Sequence, residues 1–207
     1  MPELWIGSNN KKKRAELSRL LAPLDIVLRT PDELGQDFAP IEDQPDFAGN
    51  ARKKATLLAN LSGGIALADD SGLCVDALDG RPGVLSARYG GPGLDDRGRL
   101  LRLLKELGDR PVEQRSGRFV CSLCLAAPGD RVLASIEAAC EGVLRTEPTG
   151  EEGFGYDPIF VPVEYADDPS QSFAVLGAEI KDRLSHRGKA LRQLAKDLPQ
   201  LIASESQ

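Results

Sequence analysis

The chain has 207 residues, with 26 Lys and Arg against 32 Asp and Glu, a formal net charge of −6, and one His, four Cys, one Trp and one Met. That length suits one domain or two tightly joined lobes, and 41% hydrophobic with 28% charged residues describes a chain that buries a core. The composition argues against an integral membrane protein, since no apolar run nears the ~18 residues of a span. It argues equally against a duplex nucleic-acid binder, which needs a basic face, and against most His-rich metal sites.

Met1-Pro2-Glu3 lacks the basic start and long apolar run of a signal peptide. Leu4-Trp-Ile6 reads as a short strand that enters Ser8-Asn-Asn10. A helix follows, with Leu17, Leu20, Leu21 and Leu24 at helical spacing and Pro23 limiting its length. Asp25–Leu28 reads as a second strand, and Pro31–Pro45 as a loop rich in acids and prolines. Asp46 is a good N-cap for a helix running to about Leu61. Gly64–Ala68 reads as a buried strand ending at Asp69-Asp70-Ser71-Gly72, and Leu94–Leu107 as a helix. Arg115–Ala127 and Arg131–Gly142 read as long strands joined by a Pro128-Gly129-Asp130 turn. Ser185–Leu198 is the last expected helix. Crossover units and a hairpin together predict an α/β fold on a mixed sheet.

Cys74, Cys121, Cys124 and Cys140 all lie in apolar segments. Cys121 and Cys124 have C-x-x-C spacing, but they sit in Phe119–Ala126, which reads as a buried strand. Residues three apart on a strand point to opposite faces. A core role is therefore favoured over redox or zinc chemistry, and with it a reducing compartment, so a cytoplasmic protein is expected.

Four places break local rules. Ser8-Asn9-Asn10-Lys11-Lys12-Lys13 opens a helix, where free N–H groups and positive potential suit a phosphate. It is not a Walker A loop, and a capped helix with a solvated basic turn is the plainer reading. On the second helix, Asn50 and Lys54 share the apolar stripe of Phe47, Ala51, Ala55 and Leu58. The lysine either snorkels to water or meets an anion. Asp69 and Asp70 at a strand end are costly if buried and unpaired. A Mg²⁺ ion bound by one or two carboxylates and substrate phosphates relieves that cost, with Glu42 a possible further ligand. Adjacent strand residues point opposite ways, so one carboxylate is expected to face metal and water and the other to support the turn; a polar turn is the alternative. Last, Gly153 and Gly155 flank Phe154 in Gly150–Pro158, with Phe154 or Tyr156 offered for stacking. His186 and Arg187 open a helix as hydrogen-bond donors. A serine hydrolase built on Ser71 and His186 is disfavoured, because no Gly-x-Ser-x-Gly elbow surrounds any serine.

Together these parts describe a triphosphate site, and with them in hand the sequence resembles the inosine triphosphate pyrophosphatase family, the house-cleaning dITP/XTP pyrophosphatases. The matching motifs are Ser8-Asn9-Asn10-x-x-Lys13-x-x-Glu16, Asn50-Ala51-x-x-Lys54-Ala55, and Ala68-Asp-Asp-Ser-Gly-Leu73 with Gly80-x-Pro-Gly83 and Ser86-Ala-Arg-Tyr89. Gly153-Phe-Gly-Tyr-Asp-Pro158 and Ser185-His-Arg-Gly188 complete the set, spread over about Leu4 to Leu194. Ser8 and Asn9 depart from the family's Thr-Gly, and Gly49 stands where bacterial members often have Glu. The resemblance implies an elongated α/β fold in one domain over residues 1–207. Its long mixed sheet, flanked by helices, forms two lobes with the active cleft between them, and the protein is a homodimer. It implies Mg²⁺-dependent hydrolysis of ITP, dITP or XTP to monophosphate and pyrophosphate, cleansing the nucleotide pool.

Carried over residue by residue, the resemblance makes Asp70 the proton acceptor and, with Glu42, a Mg²⁺ ligand. Asp69 and Lys13 join the catalytic group, and Lys13 and Lys54 offset charge on the leaving pyrophosphate. Ser8, Asn9, Asn10, Lys11, Lys12 and Lys13 bind phosphates, while Ser71, Phe154, Gly155, Tyr156, Asp157, Lys181, His186 and Arg187 bind nucleotide. Donors from His186 and Arg187 aimed at a purine 6-oxo group would discriminate against the adenine amino group. The competing readings are a nucleotide-binding module without turnover and a pyrophosphatase for modified pyrimidine or methylated nucleotides. No nucleic-acid or membrane partner is expected.

Overall fold

The computed structural model describes residues 2–205; Met1, Ser206 and Gln207, which the single-domain expectation also spans, lie outside the described residues. β1 (Glu3–Ile6) leads into α1 (Lys11–Leu21), where the Asn10 side chain accepts the N–H groups of Lys12 and Lys13. β2 (Val27–Arg29) starts later than the sequence suggests. α2 (Phe47–Ser62) begins where expected: Asp46 accepts the Gly49 N–H, and Gly63 closes the helix in the left-handed region at φ 68°.

β3 (Ala66–Val75) is followed by α3 (Asp96–Leu107), β4 (Ser116–Ala127) and β5 (Arg131–Leu144). β6 (Phe160–Pro162), α4 (Phe173–Leu184), α5 (His186–Leu194) and α6 (Leu198–Ser204) complete the chain. The strands form one six-stranded sheet in the order β2-β1-β3-β4-β5-β6. β1 runs parallel to β2 and β3, while β5 and β6 are antiparallel, so the sheet is mixed and the fold is the expected α/β class.

The chain divides into two compact units. One holds the chain through Asp70, Cys121–Ala138 and the segment from Arg187 onward; the other holds Ser71–Val120 and Ala139–His186. In the first, strand alternation sorts side chains onto two faces. Leu4, Ile6, Leu67, Cys121, Leu123 and Leu125 pack with Leu17 and Leu21 of α1 and with Leu191 and Leu194 of α5. Ala66, Ala68, Cys124 and Ala126 pack with Ala51, Ala55 and Leu58 of α2. Cys121 and Cys124 thus lie on opposite faces and are free thiols; burial pushes them up to about 12 and about 11, far from a reactive thiolate. The second unit has its own core, in which Leu73, Val75, Leu100 and Leu103 meet the aromatic group Phe119, Phe160 and Phe173.

Three expectations are corrected. β3 does not stop at Asp69-Asp70 but runs on to Val75. Both carboxylates find cationic partners, so the strand accommodates them, and Leu73 and Val75 continue the apolar alternation beyond. The last helix is split: α5 ends at Leu194, and α6 starts at Leu198 with Pro199 in its first turn, a position proline tolerates. α4 was not anticipated at all, because Gly177 (φ 76°) interrupts its regular pattern.

Leu58 is fully buried between α2 and the sheet. Leu58→Ala is expected to lower unfolding free energy by about 2–5 kcal/mol, as measured by urea denaturation.

Candidate active site

The first unit contains a buried cluster of charged side chains. Since successive β3 side chains alternate, Asp69 points with Leu67 toward α1 and α5, and Asp70 points with Ala68 toward α2. Both are buried, at 1% and 5% exposure. The expectation that the pair faces opposite ways holds, but neither residue supports a turn.

Asp69 Oδ2 lies 3.1 Å from Lys13 Nζ and receives Arg187 Nη2 at 3.1 Å and Nε at 3.4 Å. Burial alone would raise this carboxyl, but the charges of Lys13, Arg187 and Lys54 hold it well below the usual carboxylate range. Arg187 Nη1 also donates to Glu16 Oε2. Glu16 is itself buried, three residues along α1 from Lys13 and so on the same helix face. In the sequence, the spacing Lys13-x-x-Glu16 is the signal that places Glu16 beside this cluster.

Asp70 is held from α2. Asn50 Nδ2 donates to Asp70 Oδ2 at 3.0 Å, and Lys54 Nζ lies 3.1 Å from Asp70 Oδ1. Lys54 Nζ also meets Glu42 Oε1 at 2.7 Å. Of the two readings open for Lys54, the anionic partner is the one observed. Burial would depress the Lys54 ammonium, yet Asp69, Asp70 and Glu42 together hold it above its ordinary value. Asp70, by contrast, is raised: burial outweighs the cations Lys54 and Lys13. Adjacent carboxylates are thereby driven apart, one firmly ionised and one made more basic.

Around these groups, Ser8 is buried, Asn10 is committed to capping, and Lys11 and Lys12 are exposed on the first turn of α1. Asn9 donates to the Phe38 carbonyl at 2.7 Å and lines a cavity of about 380 Å³ with Asp32, Gln36 and Asp37. The acidic lining makes that cavity unsuitable for phosphate.

Among the described residues, no group of three or more His, Cys, Asp and Glu side chains is placed to hold a metal. Glu42 and Asp70 nevertheless converge on a single ammonium. Two carboxylates completed by substrate phosphates form the oxygen set that Mg²⁺ takes, so these residues fit that ion.

The second unit contains the aromatic loop. Asp157 Oδ2 accepts the Phe154 N–H at 2.7 Å and Lys181 Nζ at 2.7 Å. Lys181 Nζ also stands 4.6 Å from the Phe154 ring centroid, a cation–π contact. Gly153 makes this closure possible: its φ is 77°, and a Cβ there would sit 2.2 Å from Asp157 Oδ2. Gly155 donates to Asp96 Oδ2 at 3.2 Å. Tyr156 is not offered for stacking. It is buried, and its hydroxyl donates to the Ser86 carbonyl at 3.0 Å, which leaves Phe154 as the accessible ring of the loop. Ser71 is half-buried at the start of this unit. The His186 ring is buried and stacks on Phe119, with centroids 4.9 Å apart and planes 13° apart.

The sequence profile of the Ham1 family matches residues 4–197. A dITP/XTP pyrophosphatase of Desulfotalea psychrophila is 43% identical over 98% of this chain and 87% of its own length. One of Corynebacterium glutamicum is 44% identical over 98% and 99%. Among solved structures, a HAM1 protein from Coxiella burnetii superposes with a TM-score of 0.83 at 36% identity, covering 97% of this chain and 100% of that one. The chain belongs to the Ham1 family.

Arg187 is 2% exposed, with Asp69 and Glu16 as its carboxylate partners. Arg187→Ala leaves two buried carboxylates without that cation and is expected to destabilise the protein by about 3–5 kcal/mol. Chemical denaturation of the variant checks this.

Proposed function

We propose that this chain is a nucleoside triphosphate pyrophosphohydrolase that converts ITP, dITP and XTP to the monophosphate and pyrophosphate and so cleanses the nucleotide pool. The observation that carries the reading is the convergence of Glu42 and Asp70 on Lys54, with Asp69 and Lys13 behind them. The relatives named dITP/XTP pyrophosphatase support the choice of substrate.

In this reading Asp70 orients the attacking water and takes its proton, a task suited to a carboxylate whose basicity burial has raised. Lys13 and Lys54 offset the negative charge that develops on the leaving pyrophosphate. Ser8, Lys11 and Lys12 are assigned to the substrate phosphates, as a hydroxyl and two ammonium groups near the positive end of α1, while Asn9 and Asn10 shape that turn through their bonds to Phe38 and to the helix N-terminus. Glu42 and Asp70 would hold Mg²⁺, which when bound supplies Lewis-acid polarisation of the phosphate.

Nucleotide binding is further assigned to Ser71, Phe154, Gly155, Tyr156, Asp157, Lys181, His186 and Arg187. Within that group, Phe154 offers a stacking face and Lys181 and His186 offer donors to the purine 6-oxo group. Tyr156 and Asp157 act by shaping the loop, and Arg187 acts by holding Asp69. An amino group at the purine 6-position would confront donors with donors. The protein is further proposed to be a cytoplasmic homodimer with no nucleic-acid or membrane partner. Among the described residues, no helix is long and apolar enough to cross a membrane.

Pyrophosphate release measured over ITP, dITP, XTP, GTP, ATP and modified pyrimidine triphosphates, with and without EDTA, tests the reading. The 6-oxo purines are expected to lead, and EDTA to abolish turnover until Mg²⁺ is restored. Asp70→Asn is expected to fold and to lose about 10²–10⁴-fold in kcat; wild-type-like turnover would remove Asp70 as the base. Binding without release across the panel would favour the sensing module. A collapse of the ITP-over-ATP preference in Arg187→Ala at unchanged stability would move Arg187 to the base.

A further inference from the structure

Asn50 has no part in the reaction as set out above, yet it is the most completely buried polar side chain beside Asp70, at 0% exposure. It makes two hydrogen bonds of opposite sense. Its Oδ1 accepts the Gln44 N–H at 3.0 Å, and its Nδ2 donates to Asp70 Oδ2 at 3.0 Å. A backbone N–H only donates and an ionised carboxylate only accepts, so one orientation of the amide satisfies both. Gln44 lies in the segment that carries Glu42, and Lys54 takes the other Asp70 oxygen from one turn further along α2. Residues four apart share a helix face. The Asp70 carboxylate is therefore gripped at both oxygens by α2, and both grips also hold the Glu42 segment, Lys54 at the Glu42 carboxylate and Asn50 at the backbone of Gln44.

We propose that Asn50 is a positioning residue for hydrolysis: it sets the plane of the Asp70 carboxylate and registers the Glu42 segment against it, so that both carboxylates present oxygen to the same point. This rests on the assignment of Glu42 and Asp70 made above. Two variants separate the two bonds. Asn50→Ala removes both. Asn50→Asp keeps an acceptor for Gln44 but sets a carboxylate against Asp70 in place of the donor.

Both variants are expected to lose about 10–100-fold in kcat, the scale of a small misplacement at the reacting centre. KM for dITP is expected to stay nearly constant, because the substrate's own contacts are untouched. Mn²⁺ titration of the nucleotide-free protein, followed by electron paramagnetic resonance, is expected to show weaker binding in both. Hydrogen exchange at the Gln44 amide is expected to speed up in Asn50→Ala and not in Asn50→Asp. Unchanged kcat in both variants, or losses matched by the unfolded fraction seen in circular dichroism, would overturn the proposal. So would unchanged Gln44 exchange in Asn50→Ala. A wild-type protein that releases no pyrophosphate from any nucleotide overturns the functional reading instead, and the Mn²⁺ and exchange results then decide the role of Asn50 alone.

Discussion

The structure of the first unit turns on two adjacent carboxylates buried in the middle of a strand. Taking a charge out of water is strongly unfavourable unless a partner of opposite sign comes with it. Because neighbouring strand residues face opposite ways, Asp69 and Asp70 make their close ion pairs with different cations, even though Lys13 and Lys54 act electrostatically on both. Each face of β3 must bring its own. α1 and α5 bring Lys13 and Arg187 to Asp69, and α2 brings Lys54 and Asn50 to Asp70. The helices that cover the sheet with leucine and alanine are the same helices that neutralise its charge. Core and site are thus set by one constraint, and a slip of register by a single residue would exchange the two carboxylates.

The two faces do not treat their carboxylates alike. Asp69 is surrounded by cations and ionised throughout, and behaves as a fixed anionic anchor between α1 and α5. Asp70 shares its lysine with Glu42 and feels burial more than attraction. Environments that push neighbouring titratable groups apart mark a division of labour. The strained member is the one that gains from a further cation or from a proton, and it is the member that faces the second carboxylate.

Much of this was legible in the sequence, because strand alternation, helix spacing and capping act over a few residues. The opposed orientation of Asp69 and Asp70, the separation of Cys121 from Cys124 and the start of α2 at Asp46 all follow from local geometry. The length of β3 did not follow, since the groups that let it pass through two buried acids stand at positions 13, 54 and 187. The same distance hid the partner of Arg187: from its neighbours it reads as a donor looking for a ligand, and only the fold supplies Glu16 and Asp69. α4 was illegible for a local reason, the left-handed Gly177 inside it. Tyr156 misled because a ring beside a glycine looks mobile until Ser86 is seen to take its hydroxyl.

The second unit solves a different problem with different forces. Its buried histidine is packed among aromatic rings: His186 lies flat on Phe119, which is itself backed by Phe160 and Phe173. Stacking fixes the plane of an imidazole while leaving the edge, where its N–H groups lie, to define direction. Lys181 is the exception, yet its charge is matched by Asp157 and its remaining field falls on the face of Phe154. A phosphate is recognised by charge, which is strong and poorly directional. A purine edge is recognised by the direction of hydrogen bonds, which rigid and nearly neutral surroundings preserve. Ion pairs thus concentrate around β3 in the first unit and aromatic contacts around His186 in the second, so each unit fixes its polar side chains by a different force.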